Sequence, residues 1–263
     1  MAMQSNFPAD SSATVTTTTV AKATTVDPAE IAKFSKLSDE WWDPKGKMAP
    51  LHKINPLRLT YIRDAACRKF DRNVKSLNCL AGLRILDIGC GAGLLCEPFT
   101  RLGAQVIGVD PSATNIAAAR LHAEKGHLSI DYRCTTVEQM DVRERFDIVL
   151  AMEVIEHVTD VGVFLARCTA MLKPGGLMVI STLNRNWKSF ALAIVGAEYV
   201  LRWLPRGTHR WDKFVTPEEL SHYLRDNKLG ITEQAGVVYS PFADRWSISS
   251  DMDVNYMVVA EEA

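Results

Sequence analysis

Residues 83–93 read Leu-Arg-Ile-Leu-Asp-Ile-Gly-Cys-Gly-Ala-Gly, and an acid, Asp110, closes a second apolar run seventeen residues beyond Gly93. A buried strand running into a glycine turn, followed by an acid at the end of the next strand, describes a nucleotide-type pocket. Gly89, Gly91 and Gly93 allow a backbone with positive φ and the approach of a ligand that a Cβ would hold off. The acid suits a bidentate grip on ribose hydroxyls.

A second acid, Asp87, stands at the mouth of the turn. A dinucleotide would bring its pyrophosphate there, against a helix N-terminus, and a carboxylate would repel it. The glycine spacing is also G-x-G-x-G rather than G-x-G-x-x-G. The better-matched ligand carries adenosine and a cationic amino-acid end, which describes S-adenosylmethionine; the competing reading is a Rossmann-like turn used for packing or for NAD.

Further candidates follow the fourth predicted strand in the run Met152-Glu153-Val154-Ile155-Glu156-His157. Met152 has a thioether suited to packing on adenine, and equally suits plain core. On a helix, Glu153, Glu156 and His157 would share a face at i, i+3 and i+4. Together they could hold Mg²⁺ or a similar hard cation, which would orient a catechol-like diol and lower its phenol pKa. His157 could instead act directly as a general base, its unperturbed pKa of about 6.5 lying near operating pH; a capped helix start with a locally satisfied histidine is the structural alternative. Arg58, earlier in the chain, could fork onto the methionine carboxylate, although its pattern alone suits a solvated helix face.

These residues need a scaffold that gathers the ends of strands. From Arg84 onward strands are predicted near 84–88, 105–109, 128–133, 146–151 and 177–182, with helical stretches between, which implies a parallel sheet wrapped by helices. Runs near 231–240 and 254–260 close a mostly parallel seven-stranded α/β sheet, and Thr216-Pro217-Glu218-Glu219 marks a capped helix start. Upstream, Asp27-Pro28-Ala29-Glu30 predicts a helix carrying Ile31, Phe34, Leu37 and Trp41 on one side, and Asn55-Pro56 predicts another carrying Arg58. These two helices could cover the pocket. The loop Thr135-Thr136-Val137-Glu138 after the third strand is a weaker candidate for lining adenine.

The chain has 263 residues and a formal net charge of −1, enough for one sizeable core, with no charge signal for nucleic acid. Its six cysteines form no CxxC pair and read as reduced thiols. Residues 1–26 are rich in Thr, Ser and Ala, with neither an apolar signal core nor an arginine, and read as a disordered tail. The rest, 27–263, reads as a single domain in a cytoplasmic protein. An insertion at 184–214 carries Trp187, Phe190, Leu192, Ile194, Trp203 and Leu204 among basic residues. It falls short of the roughly 20 apolar residues that span a bilayer, so residues 187–204 are expected either to dock on a membrane surface or to close over the site as a lid.

Several segments are more specific: Glu30-Ile31-Ala32-Lys33-Phe34, Trp41-Trp42-Asp43, Pro50-Leu51-His52-Lys53-Ile54-Asn55-Pro56-Leu57-Arg58, Ser181-Thr182-Leu183-Asn184-Arg185-Asn186, Gly196-Ala197-Glu198-Tyr199 and Asp253-Val254-Asn255-Tyr256-Met257. From about Asp27 to the C-terminus the chain resembles the O-methyltransferases of ubiquinone biosynthesis. The resemblance implies a Rossmann-like class I methyltransferase fold and methyl transfer onto both catechol-type hydroxyls of polyprenylated quinone precursors. It implies S-adenosylmethionine contacts from Arg58, Gly89, Gly91, Asp110 and Met152, and divalent metal, Mg²⁺, at Glu153, Glu156 and His157. It further implies peripheral attachment to the inner membrane face and proximity to other ubiquinone-biosynthesis proteins. Two other readings stay open: methylation of an unrelated small phenol, and a non-catalytic S-adenosylmethionine-binding scaffold.

Overall fold

A computed structural model of the chain describes residues 24–35, 40–190, 211–241 and 243–263. Eight strands form one sheet: β1 (Arg84–Ile88), β2 (Gln105–Asp110), β3 (Asp131–Cys134), β4 (Phe146–Met152), β5 (Leu172–Leu183), β6 (Leu229–Ser240), β7 (Arg245–Ser249) and β8 (Asn255–Glu262). Their order is β3-β2-β1-β4-β5-β8-β6-β7. The first five pair in parallel, and β8, β6 and β7 add antiparallel ladders. The helices are α1 (Pro28–Ser35), α2 (Ala49–Lys69), α3 (Cys96–Arg101), α4 (Ala113–Lys125), α5 (Val161–Ala170), the single turn α6 (Trp187–Ser189) and α7 (Pro217–Asp226).

The central strands read as continuous apolar runs because both faces are covered. Ile85, Ile148 and Leu150 pack with Ile62, Phe99 and Ile116 of α2, α3 and α4 on one face. Leu86, Val149 and Ala151 pack with Leu165 of α5 and Leu220 and Leu224 of α7 on the other. The period-2 alternation puts Asp87 on the α2–α4 face. The chain runs from β1 outward to β2 and β3, then returns to β4 on the opposite side of β1, so the strand order reverses between β1 and β4. Ligands in such sheets sit beyond the strand ends at that reversal.

The predicted parallel core stands, with four corrections. An eighth strand, β7, is paired to β6 as a hairpin; its sequence, Arg-Trp-Ser-Ile-Ser, carries too little alternation to mark it. Strand β3 starts at Asp131, three residues later than predicted. The second helix starts at Ala49 and holds Pro56 in its interior; Asn55 does not cap it but donates from Nδ2 to the Leu94 carbonyl at 2.8 Å, tethering the helix to the loop after β1. The first helix is described over Pro28–Ser35 and Trp41 lies in a turn; Leu37 lies outside the described residues. Asp27 does begin α1, accepting from the Ala29 amide at 2.9 Å.

The tail, too, ends earlier than predicted. Val26 forms a β-bridge with Val158, the Thr159 amide donates to the Thr25 carbonyl at 2.8 Å, and the Thr25 hydroxyl donates to Glu138 Oε1 at 2.5 Å. Residues 1–23 lie outside the described residues, as do 191–210 of the insertion. No described helix is long and apolar enough to cross a membrane.

Candidate active site

A cavity of about 530 Å³ opens over the β1/β4 reversal, lined from every element that ends there: the glycine turn, Asp110, Thr135–Glu138, Met152–His157, Leu183 and Asn255. Helices α1 and α2 contribute Glu30, Ile31, Ile54 and Arg58, which makes them the cover that the sequence suggested.

The glycine turn is held by its own backbone. The Gly89 and Cys90 amides both donate to the Val109 carbonyl, fixing the turn to the end of β2. The Gly91 amide donates to Asp110 Oδ2 at 3.0 Å, while Oδ1 accepts from the Ser112 amide at 2.8 Å and from Asn115 Nδ2 at 3.3 Å. Burial pushes the Asp110 pKa up, and these three donors oppose the shift. Ser112 and Asn115 were missed in the sequence; the Ser-x-x-Asn spacing was the available signal, since Ser112 caps α4 by accepting from the Asn115 amide.

The glycines act partly through the protein itself rather than through a ligand. A Cβ on Gly91, whose φ is +53°, would come 2.6 Å from the Trp41 ring, and one on Gly93 would come 2.0 Å from the Tyr132 hydroxyl. Trp41 therefore lies on the turn, its Nε1 donating to Asn115 Oδ1 at 3.1 Å. Trp42 donates to the Ala92 carbonyl at 3.1 Å and stacks on His122 with ring centroids 3.4 Å apart. The Trp-Trp pair thus clamps the turn from outside.

Asp87 lines the same cavity but is almost fully buried, and burial raises its pKa to about 7; the Cys96 thiol donates to its Oδ2 at 3.1 Å and opposes that shift. The negative charge inferred from sequence is therefore opposed by burial and favoured by a cation beside it.

Beyond β4 the predicted helical face is absent. Glu153 sits in the left-handed region at φ +56°, and Ile155–His157 form a 3₁₀ turn. The carboxyls of Glu153 and Glu156 stay neighbours, while His157 turns toward α1. Glu153 Oε1 meets Arg58 Nη2 at 2.9 Å and accepts from the Ser181 hydroxyl at 2.8 Å and Asn255 Nδ2 at 2.9 Å. Glu156 Oε2 accepts from the Thr182 hydroxyl at 2.8 Å, and burial, with Glu153 nearby, raises its pKa well above the carboxylate range. His157 Nδ1 faces Glu30 Oε2 at 2.8 Å. No three acidic, histidine or cysteine side chains among the described residues come together as a metal site. Glu153 is held by Arg58 and His157 faces Glu30 on α1, so neither is presented to the expected Mg²⁺ as the donor set requires.

Arg58 is buried on α2, not on a solvated face. Its Nε, with Thr136 Oγ1, Glu138 Oε2 and Glu156 Oε1, is buried without a hydrogen-bond partner in the protein. Buried polar groups are normally paired, so unpaired ones around one cavity fit a polar ligand such as S-adenosylmethionine. Met152 is buried at the end of β4 and lines the same space. Sequence reasoning missed Asn255, Ser181 and Glu30 as partners, because each lies remote in sequence from the group it holds.

Comparison with known proteins adds to this geometry. Residues 58–234 match the methyltransferase domain family. The chain is 87% identical over 238 residues to the ubiquinone biosynthesis O-methyltransferase of Bradyrhizobium sp. (strain ORS 278), covering 90% of this chain and 94% of that protein. It is 79% identical to the protein of that name from Rhodopseudomonas palustris (strain BisB18), covering 100% of this chain and 99% of the relative. Among solved structures it superimposes with a TM-score of 0.64 on magnesium protoporphyrin IX methyltransferase from Synechocystis PCC 6803 with bound SAH, at 15% identity, covering 88% of this chain and 95% of that one. That likeness shows the class I methyltransferase fold.

Proposed function

Because the chain belongs to the family of ubiquinone biosynthesis O-methyltransferases, and so to the S-adenosylmethionine-dependent enzymes, we propose that it methylates the phenolic hydroxyls of polyprenylated catechol-type intermediates at both O-methylation steps. The observation that carries the reading is one cavity holding an anchored acid, Asp110, at the end of β2 and a histidine, His157, beyond the end of β4. When bound, S-adenosylmethionine supplies a sulfonium methyl that an oxygen nucleophile can take, leaving a neutral thioether.

The chain's residues divide the remaining work. Asp110, set by Gly91 and Ser112, takes the ribose hydroxyls, and Met152 packs on the adenine. Arg58 presents Nε to the methionine carboxylate while Glu153 holds its other end. Asp87 answers the cationic end. His157, oriented through Nδ1 by Glu30, takes the phenol proton and so frees the oxygen to accept the methyl group that the cofactor would supply; Glu156, favouring its neutral form, adds no charge to oppose the phenolate. Orientation of the two reactants supplies much of the rate.

No step is assigned to Mg²⁺. The base reading predicts turnover indifferent to a chelator, and a chelator-sensitive rate restored by Mg²⁺ would overturn it in favour of a rearranged Glu153/Glu156/His157 site. The whole reading is tested by methyl transfer to a short-chain polyprenyl catechol: wild type should form both methyl ethers, and His157→Ala should lose at least about 100-fold in kcat. Folded protein that binds cofactor yet gives no product would favour the scaffold alternative. Membrane contact is proposed through the insertion, whose described start exposes Trp187 and Phe190.

A further inference from the structure

The cavity does not end with the groups that the cofactor and the reacting ring require. Strands β5 and β8 end and begin together, at Leu183 and Asn255, and β6 pairs with β8 only as far as Val237↔Asn255. From Val238 to Ser240, β6 continues alone with β7 as its partner, so the hairpin stands above the sheet beside the site. Helix α2 faces it. Lys53 Nζ reaches both oxygens of Asp244 at 2.8 Å, and the Tyr239 hydroxyl donates to Asp244 Oδ1 at 2.5 Å, tying the hairpin tip to the helix. Between them the wall is apolar: Leu51 and Ile54 from α2, and Tyr239, Pro241 and Trp246 from the hairpin, with the Tyr239 and Trp246 rings 5.2 Å apart. This arm is continuous with the space in front of His157 and presents no group that an adenosine or an amino acid would need.

We propose that the arm between α2 and the overhanging hairpin is the subsite for the apolar tail of the acceptor, receiving its first isoprenoid units while the ring stays at His157. The inference rests on the proposed function, since it needs an acceptor with a tail, and it deepens that reading by placing the tail on the hairpin side. Continuity with the site argues for this occupant.

The test compares kcat/KM for a catechol bearing a short prenyl tail with that for the same ring without one. Wild type should prefer the tail at least about tenfold, as burial of one isoprenoid unit in apolar surroundings allows. Trp246→Asp, which places a charge on the wall that faces α2, should bring the ratio near unity, with cofactor affinity by calorimetry within about twofold of wild type. Pro241→Trp, adding apolar bulk to the same wall, should cut the ratio without a charge. Ser247→Asp, on the face of the hairpin turned away from α2 and outside the cavity, serves as the control and should keep the wild-type ratio. Equal use of both acceptors by wild type, or a tail preference that survives both the Trp246 and the Pro241 change, would overturn the subsite while leaving the proposed function intact. Wild-type protein inactive on both acceptors would instead strike at the proposed function itself.

Discussion

At the scale of single residues, the carboxyl of Asp87 carries the clearest energetic consequence. Its pKa of about 7 in the fold, raised chiefly by burial, stands well above that of an unfolded aspartate, near 3.9. Such a group destabilises the fold once the unfolded chain can ionise: the penalty is absent below about pH 4 and complete above about pH 7. Asp87→Asn should therefore raise the melting temperature at pH 8, by an amount equivalent to at most roughly 4 kcal/mol, and change it little at pH 4. The same change should weaken S-adenosylmethionine at least about tenfold by calorimetry. In the wild type, affinity should fall as pH drops from 8 to 5.5, because protonation of Asp87 competes with the cationic ligand. An affinity flat across that range would remove Asp87 from the cofactor site. Asp110→Ala should abolish measurable binding; retained affinity would refute the ribose assignment. The positions of Asp87, Asp110 and His157 at strand ends were legible in the sequence because strand periodicity and glycine spacing are local signals. Their partners were not: Glu153 meets Arg58 from a distant part of the chain, and only the fold brings them together.

At the scale of elements, local chemistry read correctly wherever the side chain serves its own helix. Thr216 accepts from the Glu219 amide at 3.2 Å while Glu219 Oε2 accepts from the Thr216 amide at 3.0 Å, completing the box expected from Thr-Pro-Glu-Glu. Thr216→Ala should cost about 1 kcal/mol by denaturant unfolding. The reading failed at Asn55-Pro56, where the same residue types serve tertiary structure: Asn55 reaches Leu94, and the helix absorbs the amide that proline lacks. The β4 exit failed for a related reason, since the left-handed Glu153 breaks the periodicity on which a shared helical face depended. The glycine turn and the Trp41 turn form one unit, which a double-mutant cycle can measure. Gly91→Ala should destabilise the wild type by several kcal/mol, through clash with Trp41 and the positive φ. In a Trp41→Ala background only the backbone part, about 1–2 kcal/mol, should remain.

At the scale of the molecule, the architecture separates duties along the sheet. On the proposed reading the parallel half serves the cofactor and the antiparallel half, β8-β6-β7, serves the acceptor, with the described start of the insertion at Trp187–Ser189. The parallel half was legible almost strand for strand because its buried runs are continuous. The antiparallel half was less so, since β7 is short, exposed and polar enough to pass for a loop. On that flank Trp187 is 81% exposed, and Phe190 packs edge-on against Trp211 with centroids 6.5 Å apart. Aromatic residues in such exposed clusters favour a lipid interface. Replacing Trp187 and Phe190 together by Asp should reduce flotation with liposomes while leaving cofactor affinity unchanged; undiminished flotation would place the membrane contact elsewhere.

The stretch Thr24–Val26 is held beside the cavity by a bridge from Val26 to Val158, by the Thr159 amide and hydroxyl on the Thr25 carbonyl, and by the Thr25 hydroxyl on Glu138. Departure of a spent nucleoside thioether on that side would require the strap to unzip. Substituting Thr25 by Val should therefore shorten the residence time of the demethylated product, and steady-state cycling should accelerate wherever release, not chemistry, sets the pace.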